Sequence, residues 1–313
     1  MSVYTWLDQD QAQTLVAPLG LPPVVRLQAI TEGIENSTYR LELADGSRWY
    51  LSVLERTPVG AMAFLIGLLD RLADAGLPVA APPTRCTENL PLLDGKPVLL
   101  LRGLAGTSPD PMTPPQASAL GAAVARAHLS AATLDADRPD ATPVAALGHE
   151  ARTLGLPESD LDLVERLAGA ANEWLASDSW PSGPIHGDLF FDNLLFEGDR
   201  LTGILDWAQA HRGLWLYDLA VLVNACKHTA TATEVLHGYA RVRPFRAAEV
   251  RHWDQVRALA AAVLWVARLG RLAEARDPAQ RQRLSREKPA APYANLCRAL
   301  AVGADGVVLP LRL

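Results

Sequence analysis

Hydrophobic and polar residues alternate along three stretches near the start of the chain, and this alternation predicts β-strands. The stretches are Val25–Ile30, Ser37–Leu43 and Arg48–Leu54, where every second residue is apolar over most of the length. The Asp45-Gly46 pair between the last two stretches is typical of a tight hairpin turn. The sequence therefore predicts a small antiparallel sheet within about its first hundred residues.

The apolar spacing then changes from that of strands to that of helices. Met62–Ala73 has helical spacing and is followed by Gly76 and Pro78, which end helices, whereas the short apolar run Val98–Leu101 suits a buried strand. Ala105–Pro115 is rich in proline and threonine, as linkers are. Three further helices, interrupted by strand-like residues 184–206, are predicted over Gln116–Ala132, Leu161–Ala176 and Ala247–Ala275.

This change of pattern divides the chain into two parts. Residues 1–103 form a strand-rich N-terminal domain and residues 104–313 a mainly helical C-terminal domain, with a hinge near the boundary. The predicted fold class is therefore α+β, with strands and helices segregated along the sequence.

Composition and charge narrow the function classes. The 313 residues are 49% hydrophobic and carry a formal net charge of −6, which argues against disorder and against a general nucleic-acid binder. The longest apolar run, Ala258–Ala267, is too short to span a bilayer, and the N-terminus lacks a signal-peptide pattern, so a cytoplasmic protein is expected. Three dispersed cysteines favour neither a disulfide framework nor a cysteine-based zinc site.

The most informative stretch is Pro184–Trp207. Two strand-like runs within it flank the turn residues 197–199, and a hairpin there would bring Asn193 close to Asp206 at its open end. Carboxylate and amide oxygens suit Mg²⁺ bound to nucleotide phosphates, which leaves Asp188, on the preceding loop, to orient a hydroxyl nucleophile. Two alternatives are a hairpin end with solvated acids and a metal-dependent hydrolase that uses His186.

Three segments resemble the superfamily of aminoglycoside phosphotransferases and choline kinases. They are His186–Asn193, Leu205–Trp207 and Tyr217–Ala220. The resemblance implies a two-lobed protein-kinase-like fold, with a small, mainly antiparallel N-lobe and a larger helical C-lobe. It also implies that Asp188 is the catalytic base, that Asn193 and Asp206 bind Mg²⁺, and that Asp218 supports the catalytic loop.

Within this superfamily the chain is most similar to the bacterial homoserine kinases of the phosphotransferase type. The similarity extends through segments such as Glu32–Ser37, Tyr50–Glu55 and Tyr217–Asn224. It implies that MgATP phosphorylates the hydroxyl of L-homoserine. The chain departs from the usual pattern at Gly187, where alanine is common, and at Trp207-Ala208, where the family usually has Phe-Tyr.

The nucleotide site is predicted around the turn between the first two strands. The resemblance places a phosphate-covering loop there, and Ser52 stands where kinases usually carry a lysine, so an arginine such as Arg56 is expected to meet phosphate. The run that ends at Leu101 and Gly103 suits an adenine slot. The predicted nucleotide-binding residues are Gly33, Asn36, Ser37, Ser52, Arg56, Leu101 and Gly103.

An amino-acid acceptor needs a cation for its carboxylate and an acceptor for its ammonium group. Asp192, Arg212 and Tyr217 are the candidates. The open alternatives are an aminoglycoside- or choline-type acceptor and a nucleotide-binding pseudokinase without turnover. No nucleic-acid or membrane partner is expected, and the protein is expected to be a monomer or a homodimer.

Overall fold

A computed structural model describes residues 4–30, 36–83, 90–135, 138, 143–177, 180–275 and 277–301. The strands of these residues are β1 Val24–Ile30, β2 Ser37–Leu43, β3 Arg48–Val53, β4 Leu92–Leu93, β5 Lys96–Arg102, β6 Ser182–Ile185, β7 Leu194–Glu197, β8 Arg200–Ile204 and β9 His211–Leu214. Their α-helices are α1 Gln9–Val16, α2 Met62–Asp74, α3 Pro114–Ala131, α4 Pro143–Thr153, α5 Glu158–Leu175, α6 Trp215–Ala225, α7 Thr229–Val242, α8 Ala247–Arg251, α9 Trp253–Glu274, α10 Pro278–Glu287 and α11 Ala291–Ala301.

The chain is organised as two compact units. The first comprises Met1–Pro109, Thr133–Asp140 and Asp192–Ala210, and the second comprises the remaining residues. The first unit contains an antiparallel five-stranded sheet in the order β1-β2-β3-β5-β4 and the separate hairpin β7–β8. The predicted N-terminal sheet is thus confirmed. The boundary predicted between residues 103 and 104 stays a prediction.

Side-chain alternation determines which face of the first sheet is buried. Along β2, Tyr39, Leu41 and Leu43 lie on one face and are almost fully buried in the cluster that also contains apolar residues of α1. The β2–β3 connection is the predicted tight turn, where Gly46 adopts a positive φ of 79°. Ser52 of β3 faces away from this cluster, because its neighbours Leu51 and Val53 both belong to it.

The second unit is mainly helical. Its helices α3 and α7 approach each other closely at Gly121 and Gly238, where an added Cβ atom would overlap the opposite backbone. Its strands β6 and β9 form an antiparallel pair. Ala247–Ala275 is not one helix as predicted. His252 leaves the helical conformation (φ −108°, ψ 15°), and its ring lies against the stacked indoles of Trp174 and Trp180, so the chain turns between α8 and α9.

A helix that crosses a bilayer must be both long and apolar. Among the residues that the structure describes, every helix is too short or too polar to cross a membrane.

Candidate active site

In the second unit the loop that carries Asp188 leaves the end of a strand pair. Ile185, the last residue of β6, pairs with His211 of β9, and His186, Gly187 and Asp188 follow directly. Gly187 has a φ of 82°, a left-handed conformation that residues with a Cβ rarely adopt. The glycine that departs from the family pattern therefore occupies a position where the backbone conformation favours glycine.

Asp218, in the first turn of α6, holds the backbone of this loop in place. Its carboxylate accepts hydrogen bonds from the backbone N–H of His186 (2.8 Å) and of Gly187 (2.9 Å). Burial tends to raise the pKa of Asp218, but the hydrogen bond and charge of His128 and the contacts with His186 outweigh burial and lower that pKa. Asp218 is therefore a buried, ionised group that holds the loop before Asp188.

His128 of α3 connects this carboxylate to the helical core. Its Nε2 lies 3.1 Å from the carboxylate of Asp218, and its Nδ1 lies 3.0 Å from the hydroxyl of Tyr239. The imidazole also stacks on Trp215 at a ring-centroid distance of 5.5 Å. Both ring nitrogens of His128 thus have partners, as expected of a core histidine that takes no direct part in chemistry.

His186 itself faces the loop that it begins. It is 1% exposed, and the backbone N–H of Asp188 donates to its Nδ1 at 3.3 Å. This contact orients the backbone of Asp188, which agrees with a structural role for His186 and gives no support to a hydrolase centred on it.

Tyr217 lies in the electrostatic field of Asp188. Burial, and then the negative charges of Asp188 and Asp218, raise the pKa of Tyr217 far above its ordinary value. The phenol is therefore protonated and is able to donate a hydrogen bond. Of the three predicted acceptor residues, Tyr217 is close to Asp188, whereas Arg212 is an exposed residue of β9 in the same unit.

In the first unit the hairpin β7–β8 carries the predicted metal ligands. Leu194 pairs with Ile204, and the backbone N–H of Leu205 donates to the carbonyl oxygen of Asn193 at 2.8 Å. Asn193 and Asp206 therefore leave the same end of the hairpin, as the sequence predicts. Asp206 is exposed and has a left-handed backbone (φ 56°, ψ 63°).

The donor set of this hairpin suits a hard cation only in part. A carboxylate and an amide oxygen are ligands that Mg²⁺ accepts, and Mg²⁺ usually completes its shell with water and substrate phosphates. Within the described ranges, no group of three or more His, Cys, Asp or Glu side chains could hold a metal ion by itself. The residues therefore fit a metal that is shared with phosphate oxygens.

The predicted nucleotide-binding residues that the structure describes lie on or beside the first sheet. Leu101 pairs with Tyr50, and the backbone N–H of Gly103 donates to the carbonyl oxygen of Arg48 at 2.8 Å. Because directly paired residues share a face, Leu101 lies on the same face as Ser52, away from α1. Gly33 lies outside the described residues, and Arg56 and Asp192 are exposed.

Asn36 and Ser37, at the start of β2, bind to the chain after β3 and to the N-terminal segment. The side chain of Asn36 accepts the backbone N–H of Glu55 (3.3 Å). Ser37 is fully buried, accepts the backbone N–H groups of Tyr4 and Thr5, and donates to Glu55. The hydroxyl of Ser37 is therefore committed to the fold, and the structure leaves no part of this residue accessible to a nucleotide.

Sequence reasoning missed the lysine that binds Glu55. Lys96 of β5 lies 2.5 Å from the Glu55 carboxylate and 2.8 Å from the hydroxyl of Thr5. Alternation along β5 puts Lys96 on the same face as Val98, the face that α1 covers, and so opposite to Ser52. This lysine supports the sheet and does not replace the kinase lysine. The Lys96–Glu55 pair follows from the β3–β5 register, which a single sequence does not reveal.

A second missed residue is Arg138, in the connection between α3 and α4. Its buried guanidinium donates to the backbone carbonyls of Ala208 and Ala210, directly after the predicted metal ligand Asp206. No motif surrounds Arg138 in the sequence, and its partners are backbone atoms about seventy positions away, so side-chain pattern alone gives no sign of it.

Comparison with known proteins agrees with these local features. The sequence model of the phosphotransferase enzyme family matches residues 26–259. The chain is 35% identical to a homoserine kinase of Pseudomonas aeruginosa over 283 residues, covering 86% of this chain and 88% of that protein. It is 34% identical to a homoserine kinase of Neisseria meningitidis over 282 residues, covering 86% and 91%.

A solved structure shares the fold. The amicoumacin kinase hAmiN, in complex with AMP-PNP, Ca²⁺ and Ami, superposes with a TM-score of 0.67, covering 93% of each chain at 14% identity. The α+β, protein-kinase-like fold is thereby confirmed. The family match spans most of the chain, and the homoserine kinases match at 30% identity or more, so this chain belongs to the phosphotransferase enzyme family.

Proposed function

We propose that the chain transfers the γ-phosphoryl group of ATP to the side-chain hydroxyl of L-homoserine, giving O-phospho-L-homoserine and ADP. The similarity to homoserine kinases over 86% of the chain is the observation that carries this proposal. The hydrogen bonds that tie the loop before Asp188 to the buried Asp218 agree with this proposal. Phosphoryl transfer depends on exact placement of groups more than on covalent chemistry by the protein.

Asp188 acts on the acceptor hydroxyl. The hydroxyl oxygen forms a bond to the γ-phosphorus while the bond from that phosphorus to the bridging oxygen of ADP breaks, and the hydroxyl proton passes to the carboxylate of Asp188. Asp218 and His186 keep the backbone of this loop in place. Tyr217, which stays protonated beside Asp188, donates a hydrogen bond to the acceptor.

Asn193 and Asp206 hold Mg²⁺ through an amide and a carboxylate oxygen. When bound with the nucleotide, Mg²⁺ neutralises charge that develops on the phosphate oxygens. The role of the chain is to present both oxygens from one end of a hairpin, which the Leu205–Asn193 backbone bond stabilises.

The sheet of the first unit binds the nucleotide. Leu101 and Ser52 share a sheet face, which suits the adenine base. The N–H of Gly103 is taken by the carbonyl of Arg48, so the carbonyl oxygen of Gly103 is the backbone group that would read the base. Backbone groups of Gly33 and Asn36 cover the phosphates, and Arg56 replaces the cation that kinases take from lysine.

The acceptor is an amino acid with a free hydroxyl. Arg212 pairs with its carboxylate and Asp192 with its ammonium group, while Tyr217 and Asp188 flank the hydroxyl. The enzyme works as a monomer or homodimer in the cytoplasm, without a nucleic-acid or membrane partner.

Two alternatives are carried by specific observations. The amicoumacin kinase shares this fold, so the same fold could serve a different hydroxyl acceptor, of the aminoglycoside or choline type. The serine at position 52 favours a nucleotide-binding pseudokinase, because a phosphate-binding lysine is absent from that position.

The discriminating experiment is ADP release from MgATP by the purified protein, with L-homoserine, serine, threonine, choline, ethanolamine and kanamycin as acceptors. We expect strong stimulation by L-homoserine alone. Stimulation by another acceptor would keep the reaction and reassign the acceptor pocket. Nucleotide binding without ADP release in any mixture would support the pseudokinase.

A further inference from the structure

The connection between α3 and α4 contributes to the unit that contains the metal segment. Thr133–Asp140 groups with Asp192–Ala210 in the first unit, although the chain on either side of this connection belongs to the second unit. Arg71 of α2 donates to the hydroxyl of Thr133, and Leu134 packs beside Gly67 of the same helix. The start of this connection is therefore attached to α2.

Arg138 is the residue of this connection that binds the metal segment. Arg138 is 8% exposed, and its guanidinium donates from Nη1 to the carbonyl oxygens of Ala208 and Ala210, the latter at 2.9 Å. These two carbonyls belong to the 3₁₀ turn Trp207–Gln209 and the residue that caps it. Burying a guanidinium is costly unless its donors are satisfied, so these two hydrogen bonds compensate for the burial of Arg138.

The turn that Arg138 binds begins immediately after Asp206. The left-handed backbone of Asp206 is an unfavourable conformation that persists only where neighbouring contacts impose it. Before Asp206, the backbone N–H of Ile204 donates to the carbonyl oxygen of Pro78 at 2.7 Å, and that of Leu205 donates to Asn193. After Asp206, Arg138 binds the carbonyls of Ala208 and Ala210, so the backbone of Asp206 is held on both sides.

We infer that Arg138 is a positioning residue for the metal carboxylate, acting on Asp206 through the carbonyls of Ala208 and Ala210. The inference rests on the proposed function, in which Asp206 binds a divalent cation together with a nucleotide. Residues that orient a metal ligand typically change metal affinity when they are removed, even though they do not touch the metal.

The test compares Arg138→Met and Arg138→Lys with the wild-type protein. The primary readout is Mn²⁺ binding in the presence of ADP, followed by electron paramagnetic resonance, with thermal denaturation measured in parallel. Arg138→Met is expected to weaken Mn²⁺ binding by about tenfold or more, the range typical of lost ligand orientation. Arg138→Lys keeps a cation without the forked geometry, so it is expected to recover part of the loss.

Two further variants separate positioning from general stability. Arg26→Met removes an arginine of the same unit whose side chain is 64% exposed and lies 3.8 Å from Glu42, and it is expected to bind Mn²⁺ as the wild type does. Asp206→Asn is expected to weaken Mn²⁺ binding on its own. Combining it with Arg138→Met should add little further loss, because both changes act on one ligand.

The outcomes distinguish this inference from the proposed function. A folded Arg138→Met or Arg138→Lys protein with a lower melting temperature but wild-type Mn²⁺ affinity would reduce Arg138 to a structural contact and overturn the inference alone. Full additivity in the double variant would overturn it as well. A wild-type protein that binds no Mn²⁺ with ADP would overturn both.

Discussion

The loop of Asp188 and the segment of Asp206 both follow a short strand, yet different kinds of bond hold them. The backbone before Asp188 is bound by the side chain of Asp218, which is itself buried against His128. The backbone around Asp206 is held by hairpin hydrogen bonds and by Arg138 through carbonyl oxygens. The first arrangement depends on buried side-chain charge, and the second depends mainly on backbone geometry.

This difference has a chemical counterpart. A base that takes a proton late in the reaction needs an accurate position more than an unusual environment, and a desolvated network of charged groups gives that accuracy. A proposed metal ligand must remain accessible, and Asp206 is exposed while its backbone is constrained. Substitutions should therefore damage stability in the first region and metal binding in the second.

The largest effect is expected at Asp188. Asp188→Asn removes the proposed acceptor of the hydroxyl proton but preserves the size of the side chain, so kcat should fall by about 10²–10⁴-fold. Binding of MgADP should persist, because the nucleotide residues are unchanged. Turnover with L-homoserine and calorimetric titration with MgADP measure the two quantities, and wild-type turnover in this variant would remove Asp188 from the mechanism.

Asp218→Asn should destabilise the protein far more than Asp206→Asn. An amide at position 218 would face donors on both sides, since both carboxylate oxygens accept backbone N–H groups, and the loss should be about 3–5 kcal/mol in the free energy of unfolding. Asp206→Asn should leave that free energy within about 0.5 kcal/mol, because residue 206 is exposed and asparagine tolerates a left-handed backbone. Denaturant unfolding measures the free energy of unfolding of both variants. Equal losses would contradict the proposed difference between the two regions.

The helix that carries His128 gives a smaller test of the same network. Gly121→Ala should destabilise the protein by about 1–3 kcal/mol, because the new methyl group would overlap the backbone carbonyl of Val235 on α7 and separate His128 from Tyr239. Gly169→Ala on α5 is the matched control. It has open space around it, so it should stabilise the helix by about 0.5–1 kcal/mol. A Gly121→Ala variant as stable as the wild type would mean that the α3–α7 contact does not constrain His128.

The smallest effect is expected from Glu55 and depends on pH. Burial tends to raise the pKa of Glu55, but hydrogen bonds from Lys96, Ser37 and Thr5 outweigh it and hold that pKa below its usual value. This carboxylate therefore stabilises the fold above the unfolded pKa of about 4.3, and the contribution is lost as the pH falls through the lower folded value. Melting temperatures between pH 6 and pH 3 should consequently fall less steeply in Glu55→Gln than in the wild type.

Glu42 forms a partly exposed ion pair with Arg26 and provides the control for that measurement. Glu42→Gln should follow the wild-type pH dependence closely, because surface ion pairs contribute little. Parallel curves for the wild type and Glu55→Gln would show that Glu55 is not coupled to folding.

The sequence predicted the elements whose signal is local. The strand Ser37–Leu43 has the bounds that its alternation indicates, and the hairpin that brings Asn193 close to Asp206 follows from two apolar runs and a turn. Tyr217 is an acceptor candidate from its place near the catalytic loop in the sequence, and the structure adds its proximity to Asp188.

The remaining features depend on contacts between distant positions. The Lys96–Glu55 pair requires the register of β3 on β5, and the role of Arg138 requires knowledge of which backbone carbonyls it meets. The break at His252 accompanies tilted ring contacts with two tryptophans from another part of the chain, which helical periodicity within Ala247–Ala275 cannot reveal.

The most direct test of the central claim is identification of the product by phosphorus NMR. Purified protein is incubated with MgATP and L-homoserine, and the resonances of ADP, inorganic phosphate and phosphomonoester are followed together. The account predicts one phosphomonoester for each ADP formed, with little inorganic phosphate, and ester formation at least about a hundredfold slower in Asp188→Asn. Release of inorganic phosphate without ester, or bound ATP that is never consumed, would contradict it.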